Sequence, residues 1–210
     1  MPAFHGDKWQ VGRQKPDEPY GSASMTVKMC TPFSDALQAG YIQEAWQDIY
    51  LEFDEKNINN PNYVLPMPEP QMISYREHAS LPVGDEFYPI EFVFHPPWTP
   101  QTPKGWSTLY TAPSNRPELP IWFPSAIVDT DRFTHSCEKS NIPFYVKKSF
   151  GTGIIPKGTP LYQMIPIKRE SWKSSGEKFD GVKQKQVCLE PSKTFWNGYK
   201  KLFWEKKEYK

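Results

Sequence analysis

Glu86-Phe-Tyr-Pro-Ile-Glu-Phe-Val-Phe94 and Gly105-Trp-Ser-Thr-Leu-Tyr-Thr111 decide the fold class. Both are short runs rich in aromatic and β-branched residues, with proline or glycine nearby. Such residues fit a pleated, half-buried surface, and such neighbours mark turns. Comparable runs lie at 71–75, 121–129, 142–150 and 160–167. In the last, Leu161, Gln163, Ile165 and Ile167 share one face. Short strands at this spacing predict a mainly β fold, a sandwich or barrel. Pro89 and Pro124, inside runs, predict edges, bends or bulges. Thirteen of the 23 prolines fall in residues 61–120. The excess therefore reads as rigid loops between strands.

Upstream, Thr31-Pro-Phe-Ser-Asp-Ala-Leu-Gln-Ala-Gly40 predicts a helix of about two turns near 32–39. Thr31 is its expected N-cap and Gly40 its left-handed stop. Asp35 is expected in the first turn, where a carboxylate suits the helix dipole. Phe33, Leu37 and Ala36 are the expected buried side chains. From 41 to 53, Ala45, Ile49, Leu51 and Phe53 alternate with Glu44, Asp48 and Glu52. That is a half-buried strand interrupted near Trp46. Asn57 to Pro61 reads as a turn. Residues 1–29, punctuated by proline and glycine, read as an extended arm with Trp9 and Tyr20 as anchors.

Downstream, residues 168–190 are polar and rich in Lys, Ser and Gly, and read as a linker. A helix is expected from about Ser192 to Glu208, with Pro191 at its start. Phe195, Tyr199, Leu202 and Phe203 would form its apolar stripe. The expected organisation is thus an arm (1–29), a β core (30–167), a linker (168–190) and a C-terminal amphipathic helix (191–210).

A length of 210 residues suits one core domain with appendages. Aromatic residues make up 15% of the chain, enough bulky apolar area to argue against wholesale disorder. The prolines exclude a helical bundle. No apolar run approaches the ~18–20 residues of a membrane helix, so no membrane partner is expected. No secretory h-region opens the chain, and the expected setting is a host cytoplasm or a virion. Cys30, Cys137 and Cys188 are distant and odd in number, which argues against a disulfide scaffold. Net charge is +1, yet residues 168–210 carry 12 Lys/Arg against 6 Asp/Glu, a net of +6. The remainder is then −5. An acidic body carries a basic tail.

Sites for chemistry are sparse. His5, His78, His95 and His135 show no metal-ligand spacing, so no metal is expected. There is no G-x-S-x-G elbow, P-loop or G-x-G-x-x-G. The richest segments are Thr102–Pro117, Ala126–Asp131 and Gly153–Pro166. In order they give a Pro-Gly-aromatic strand, a Pro-x-x-Arg turn, a Val-Asp-x-Asp strand end and a hairpin carrying Gln163.

That order resembles the β-clip proteins of the dUTPase and dCTP-deaminase type, over about 65 residues. The resemblance implies Asp129 as the water-positioning, catalytic aspartate and Gln163 as the glutamine of the closing hairpin. It departs from them at Pro113-Ser-Asn-Arg116, which stands for a Pro-Arg-Ser-Gly phosphate turn, and no glycine-rich lid follows. A nucleotide-like ligand among Lys104, Arg116, Asp129, Asp131 and Gln163, with Mg²⁺, is the expectation on this alternative.

A broader likeness runs through Cys30–Ile42, His95-Pro-Pro-Trp-Thr99, Thr102–Ser107, Val128–Asp131 and Gly158–Trp172. These blocks resemble, over about 30–172, an uncharacterised protein family of large tailed phages and bacteria. The family brings no activity and no cofactor with it. The expectation is a non-enzymatic phage-type structural or accessory protein that works through protein–protein contacts of its arm and tail. Trp9, Tyr20, Trp196, Trp204, Lys200 and Lys201 are the candidate contacts with other subunits, including copies of this chain. A second alternative is nucleic-acid binding through 191–210, where aromatics interleave with lysines.

Overall fold

The computed structural model describes residues 31–53, 73–76, 80–96, 98–133, 141–176, 178–192 and 198–207. The arm, the turn at 57–61, Trp196 and Phe195 lie outside the described residues. The chain divides into two units, one of residues 40–169 and one that joins the segments on either side of it.

The unit 40–169 is mainly β and sandwich-like. Its strands are β1 (Tyr41–Glu44), β2 (Ile49–Leu51), β3 (Ile73–Arg76), β4 (Glu91–Phe94), β5 (Trp106–Thr111), β6 (Ile121–Trp122), β7 (Ala126–Val128), β8 (Ile142–Val146), β9 (Gly153–Ile155) and β10 (Pro160–Lys168). They form three antiparallel arrays, in the orders β1-β10-β5-β7, β3-β4-β8-β6 and β2-β9. None closes into a barrel.

One aromatic core joins two of the arrays. Phe92 stacks on Phe144 at 5.3 Å, and Phe144 on Phe123 at 5.1 Å. Phe123 reaches Tyr162 of β10 at 5.3 Å, and Tyr162 lies 5.8 Å from Tyr110 of β5. Offset and edge-on ring contacts of this kind add to the area the rings bury. The alternation expected at 41–53 is observed: Ala45, Ile49, Leu51 and Phe53 are buried, and Glu44, Asp48 and Glu52 are exposed.

Several expectations need correction. Run 121–129 is two strands that join different arrays, with residues 123–125 between them. Run 142–150 ends as a strand at Val146 and continues into a 3₁₀ turn, Lys148–Phe150. The hairpin read over 153–166 is not formed: its first arm, Gly153–Ile155, pairs with β2, and β10 pairs with β1 and β5 instead. Along β10 both faces are buried from Leu161 to Met164, and Ile165 and Ile167 are half-buried.

The second unit carries three helices: α1 (Thr31–Gln38), α2 (Gly181–Ser192) and α3 (Gly198–Leu202). α1 matches the expected short helix, with Leu37 buried, but Phe33 is exposed. The helix already includes Thr31, so Asp35 lies beyond its first turn, and its carboxylate serves a side-chain contact. α2 occupies half of the stretch read as a linker, and Pro191 lies in its last turn. There its ring and missing N–H remove a helical hydrogen bond, which suits a helix that ends one residue later. α2 and α3 lie against each other. Tyr199, Leu202 and Phe203, the expected packing stripe, are half exposed.

Candidate functional site

Asp129 and Asp131 do come together, around a cation that the sequence reading had placed in a linker. β7 pairs with β5 through Thr108↔Val128, which sets Asp129 beside Ser107. β10 pairs with β5 from the other side, and Arg169 continues the pairing by donating its N–H to Gly105 O at 2.8 Å. The guanidinium then reaches across β5. Its Nη1 donates to Asp129 Oδ1 at 3.0 Å, Asp131 Oδ1 at 2.9 Å, Ser107 Oγ at 3.0 Å and Trp106 O at 2.9 Å. Its Nη2 donates to Asp131 Oδ2, which makes the Asp131 pair bidentate.

The two aspartates differ in environment. The side chain of Asp131 is 3% exposed and that of Asp129 is 56% exposed. Asp131 also accepts the Gly105 N–H at 2.9 Å. The hydrogen bonds from Arg169 and Gly105 hold its carboxyl at about 2, against an opposing push from burial. A group so strongly ionised is a poor proton acceptor at neutral pH. Asp129 Oδ1 also accepts from Ser107 Oγ at 2.7 Å. Beneath them runs a chain of hydroxyls, Thr102 to Thr130 at 2.7 Å and Thr130 to Thr108 at 2.8 Å. The arrangement ties β5 to the exits from β7 and β10.

The other candidate ligand residues sit elsewhere. Gln163 is fully buried, and its Oε1 accepts the N–H and the hydroxyl of Ser114 at 3.0 and 2.8 Å. It pairs with Thr111, whereas Lys168 pairs with Trp106. Five residues of strand separate these positions, about 17 Å at ~3.4 Å per residue. Arg116 belongs to the Ser114 end, where it is paired with Glu118. Lys104 lies exposed in the turn before Gly105, at the aspartate end. The five residues expected around one ligand therefore fall into two groups at opposite ends of β5. Among the described residues, no three His, Cys, Asp or Glu side chains group to hold a metal.

No family model matches the chain, and no curated protein matches it. The function has to be read from the surface.

A further carboxylate went unforeseen. Glu91 is fully buried on β4 and accepts from Arg76 Nη1 at 2.6 Å, Ser80 N at 2.7 Å, Ser80 Oγ at 3.1 Å and Tyr145 Oη at 2.8 Å. Burial pushes its carboxyl up, and the donors from Ser80, Tyr145 and Arg76 outweigh that push and hold it below the usual range. Each of its two oxygens accepts two hydrogen bonds, which marks Glu91 as a structural centre.

The C-terminal segment has the opposite character. Every described residue from 170 to 180 is exposed. Trp172 is 94% exposed and Phe179 80%. Val182, Leu189, Tyr199, Leu202 and Phe203 follow as exposed apolar side chains. Of the tail contacts expected from sequence, Lys201 is exposed. Lys200 sits 5.2 Å over the Trp204 ring. Trp172 and Phe179 were missed because isolated aromatics in a polar stretch carry no periodicity.

Proposed function

We propose that this is a phage-type structural or accessory protein, acting without catalysis through protein–protein contacts of its C-terminal segment. Its setting is a host cytoplasm or a virion. A β fold alone assigns no function, so the reading rests on the surface. The observation that carries it is the run of fully or half-exposed aromatics from Trp172 to Phe203 on a lysine-rich segment. Trp, Tyr and Phe are the residues enriched in interface cores and among the strongest contacts. The segment's net charge of +6 adds a preference for an acidic partner. Among the described residues no helix is long and apolar enough to cross a membrane.

The nucleotide alternative is weakened by the separation of Gln163 and Arg116 from the two aspartates. The ion pairs that already engage Asp129, Asp131 and Arg116 weaken it further.

Affinity capture from the producing cells, with the wild type and with Trp172→Ser/Phe179→Ser, tests the proposal. A protein retained in stoichiometric amount by the wild type and lost by the double variant is expected. A lone monomer by mass photometry, with no retained protein, would count against it.

A further inference from the structure

Asp35 of α1 is held by the end of the chain. Trp204 donates its indole Nε1–H to Asp35 Oδ2 at 2.8 Å, and the Lys207 ammonium lies 2.9 Å from the same oxygen. Both partners also meet through the ring: Lys207 lies 5.5 Å from the Trp204 centroid and Lys200 5.2 Å. The Lys207 hydrogen bond, helped by Trp204 and opposed by burial, holds the Asp35 carboxyl below its usual range.

These parts make a receptor for one carboxylate. An indole N–H and an ammonium converge on a single oxygen, and two cations over the ring orient the indole. The site is not sealed, since the Lys207 side chain is 41% exposed. Tyr199, Leu202 and Phe203 of the same segment are half-exposed apolar side chains, and Lys201 and Lys206 add charge. Nothing in the donor set requires that the carboxylate come from α1.

We propose that Trp204, Lys207 and Lys200 form a recognition site for an acidic segment of a partner protein, and that Asp35 fills it as an internal stand-in. The inference rests on the contact role given to this segment above and names the partner's chemistry. A partly exposed ion pair of this kind is worth little, so a partner bearing several carboxylates can displace Asp35. Self-occupancy lowers the apparent affinity by the fraction of molecules left open. Removing Asp35 therefore raises the affinity for an acidic segment, by about three- to tenfold.

The test uses the full chain and a fluorescein-labelled decaglutamate peptide, read by anisotropy at low salt. Asp35→Ala is expected to bind about fivefold tighter than the wild type. Adding Trp204→Phe or Lys207→Gln should cancel the gain, and Lys178→Gln/Lys183→Gln should leave it. Asp35→Asn serves if the alanine variant folds poorly. In the wild type, the Trp204 indole N–H resonance should move on adding peptide.

Equal or weaker binding by both Asp35 variants overturns the inference. If the captured partner of the previous section persists in that case, the contact reading survives alone. If neither peptide nor partner is bound, both fail together. A dimer that Asp35→Ala abolishes would assign the site to a neighbouring copy. Stronger Trp204-dependent binding of oligothymidylate would assign it to nucleic acid. Either outcome overturns the peptide assignment.

Discussion

Gly40 shows how one residue constrains the start of the β unit. Its φ is +65°, and a Cβ there would overlap the carbonyl oxygen of Met164 on β10. Both the left-handed backbone and the close approach require glycine. Gly40→Ala should destabilise by about 2 kcal/mol, as strain at such positions typically costs. For a chain of this size that is a fall of roughly 4–8 °C in melting temperature, checked by calorimetry.

Asp131 gives a residue-scale prediction in pH. Its folded value is lowered from 3.8 to about 2, so folding favours its ionised form. The stabilisation is complete above about pH 4 and is lost as pH falls toward 2. Asp131→Asn removes that titration and leaves Arg169 with a weaker partner. Urea midpoints measured from pH 6 to pH 2 should fall less steeply for the variant than for the wild type. Parallel slopes would assign the acid sensitivity to other carboxylates.

At the scale of elements, β4 and β8 are joined by more than their ladder. Tyr145 of β8 donates to the buried Glu91 of β4. Tyr145→Phe keeps the ring and removes one of four donors. The remaining charge stays buried with fewer bonds, which should cost about 1–3 kcal/mol in denaturant unfolding. A loss near zero would mean that water or Arg76 replaces the hydroxyl.

Legibility also varied by element. β5 and β10 could be read because their alternation and bounding turns are local. The Gly40 stop and the break near Trp46 were local too. Arg169 was not legible, since it looks like the second residue of a polar stretch until β10 is paired with β5. The carboxylates of Asp129 and Asp131 were the available signal, because two aspartates at a strand end call for a cation. Glu91 was hidden because a charge inside an apolar run gives no hint of donors at positions 76, 80 and 145. The Asp35–Trp204 contact joins residues 169 apart in sequence, beyond any periodicity. α2 has little amphipathic pattern, so composition alone made it a linker.

For the whole molecule, the two units differ in what holds them. The unit 40–169 has a shared core of buried aromatic and aliphatic side chains. In the other unit, Leu37 is the one buried hydrophobic side chain among the described residues. Local stability follows the buried apolar contacts that opening must break. The segment from 170 onward should therefore open at far lower free energy than the β unit. Limited trypsin digestion should cut first at Lys173, Lys178, Lys183 or Lys185, all exposed. Mass spectrometry should then find a fragment that retains β1 to β10, while amides of β4, β5 and β10 exchange slowest. Asp35→Ala should speed cleavage after Lys200 and Lys201 without changing exchange in β5, because the contact it removes lies within the other unit, outside 40–169. Equal cleavage rates before and after that substitution would mean that the Trp204–Asp35 contact holds nothing closed. Early cuts within 106–168 would mean that the β core is not the more stable unit.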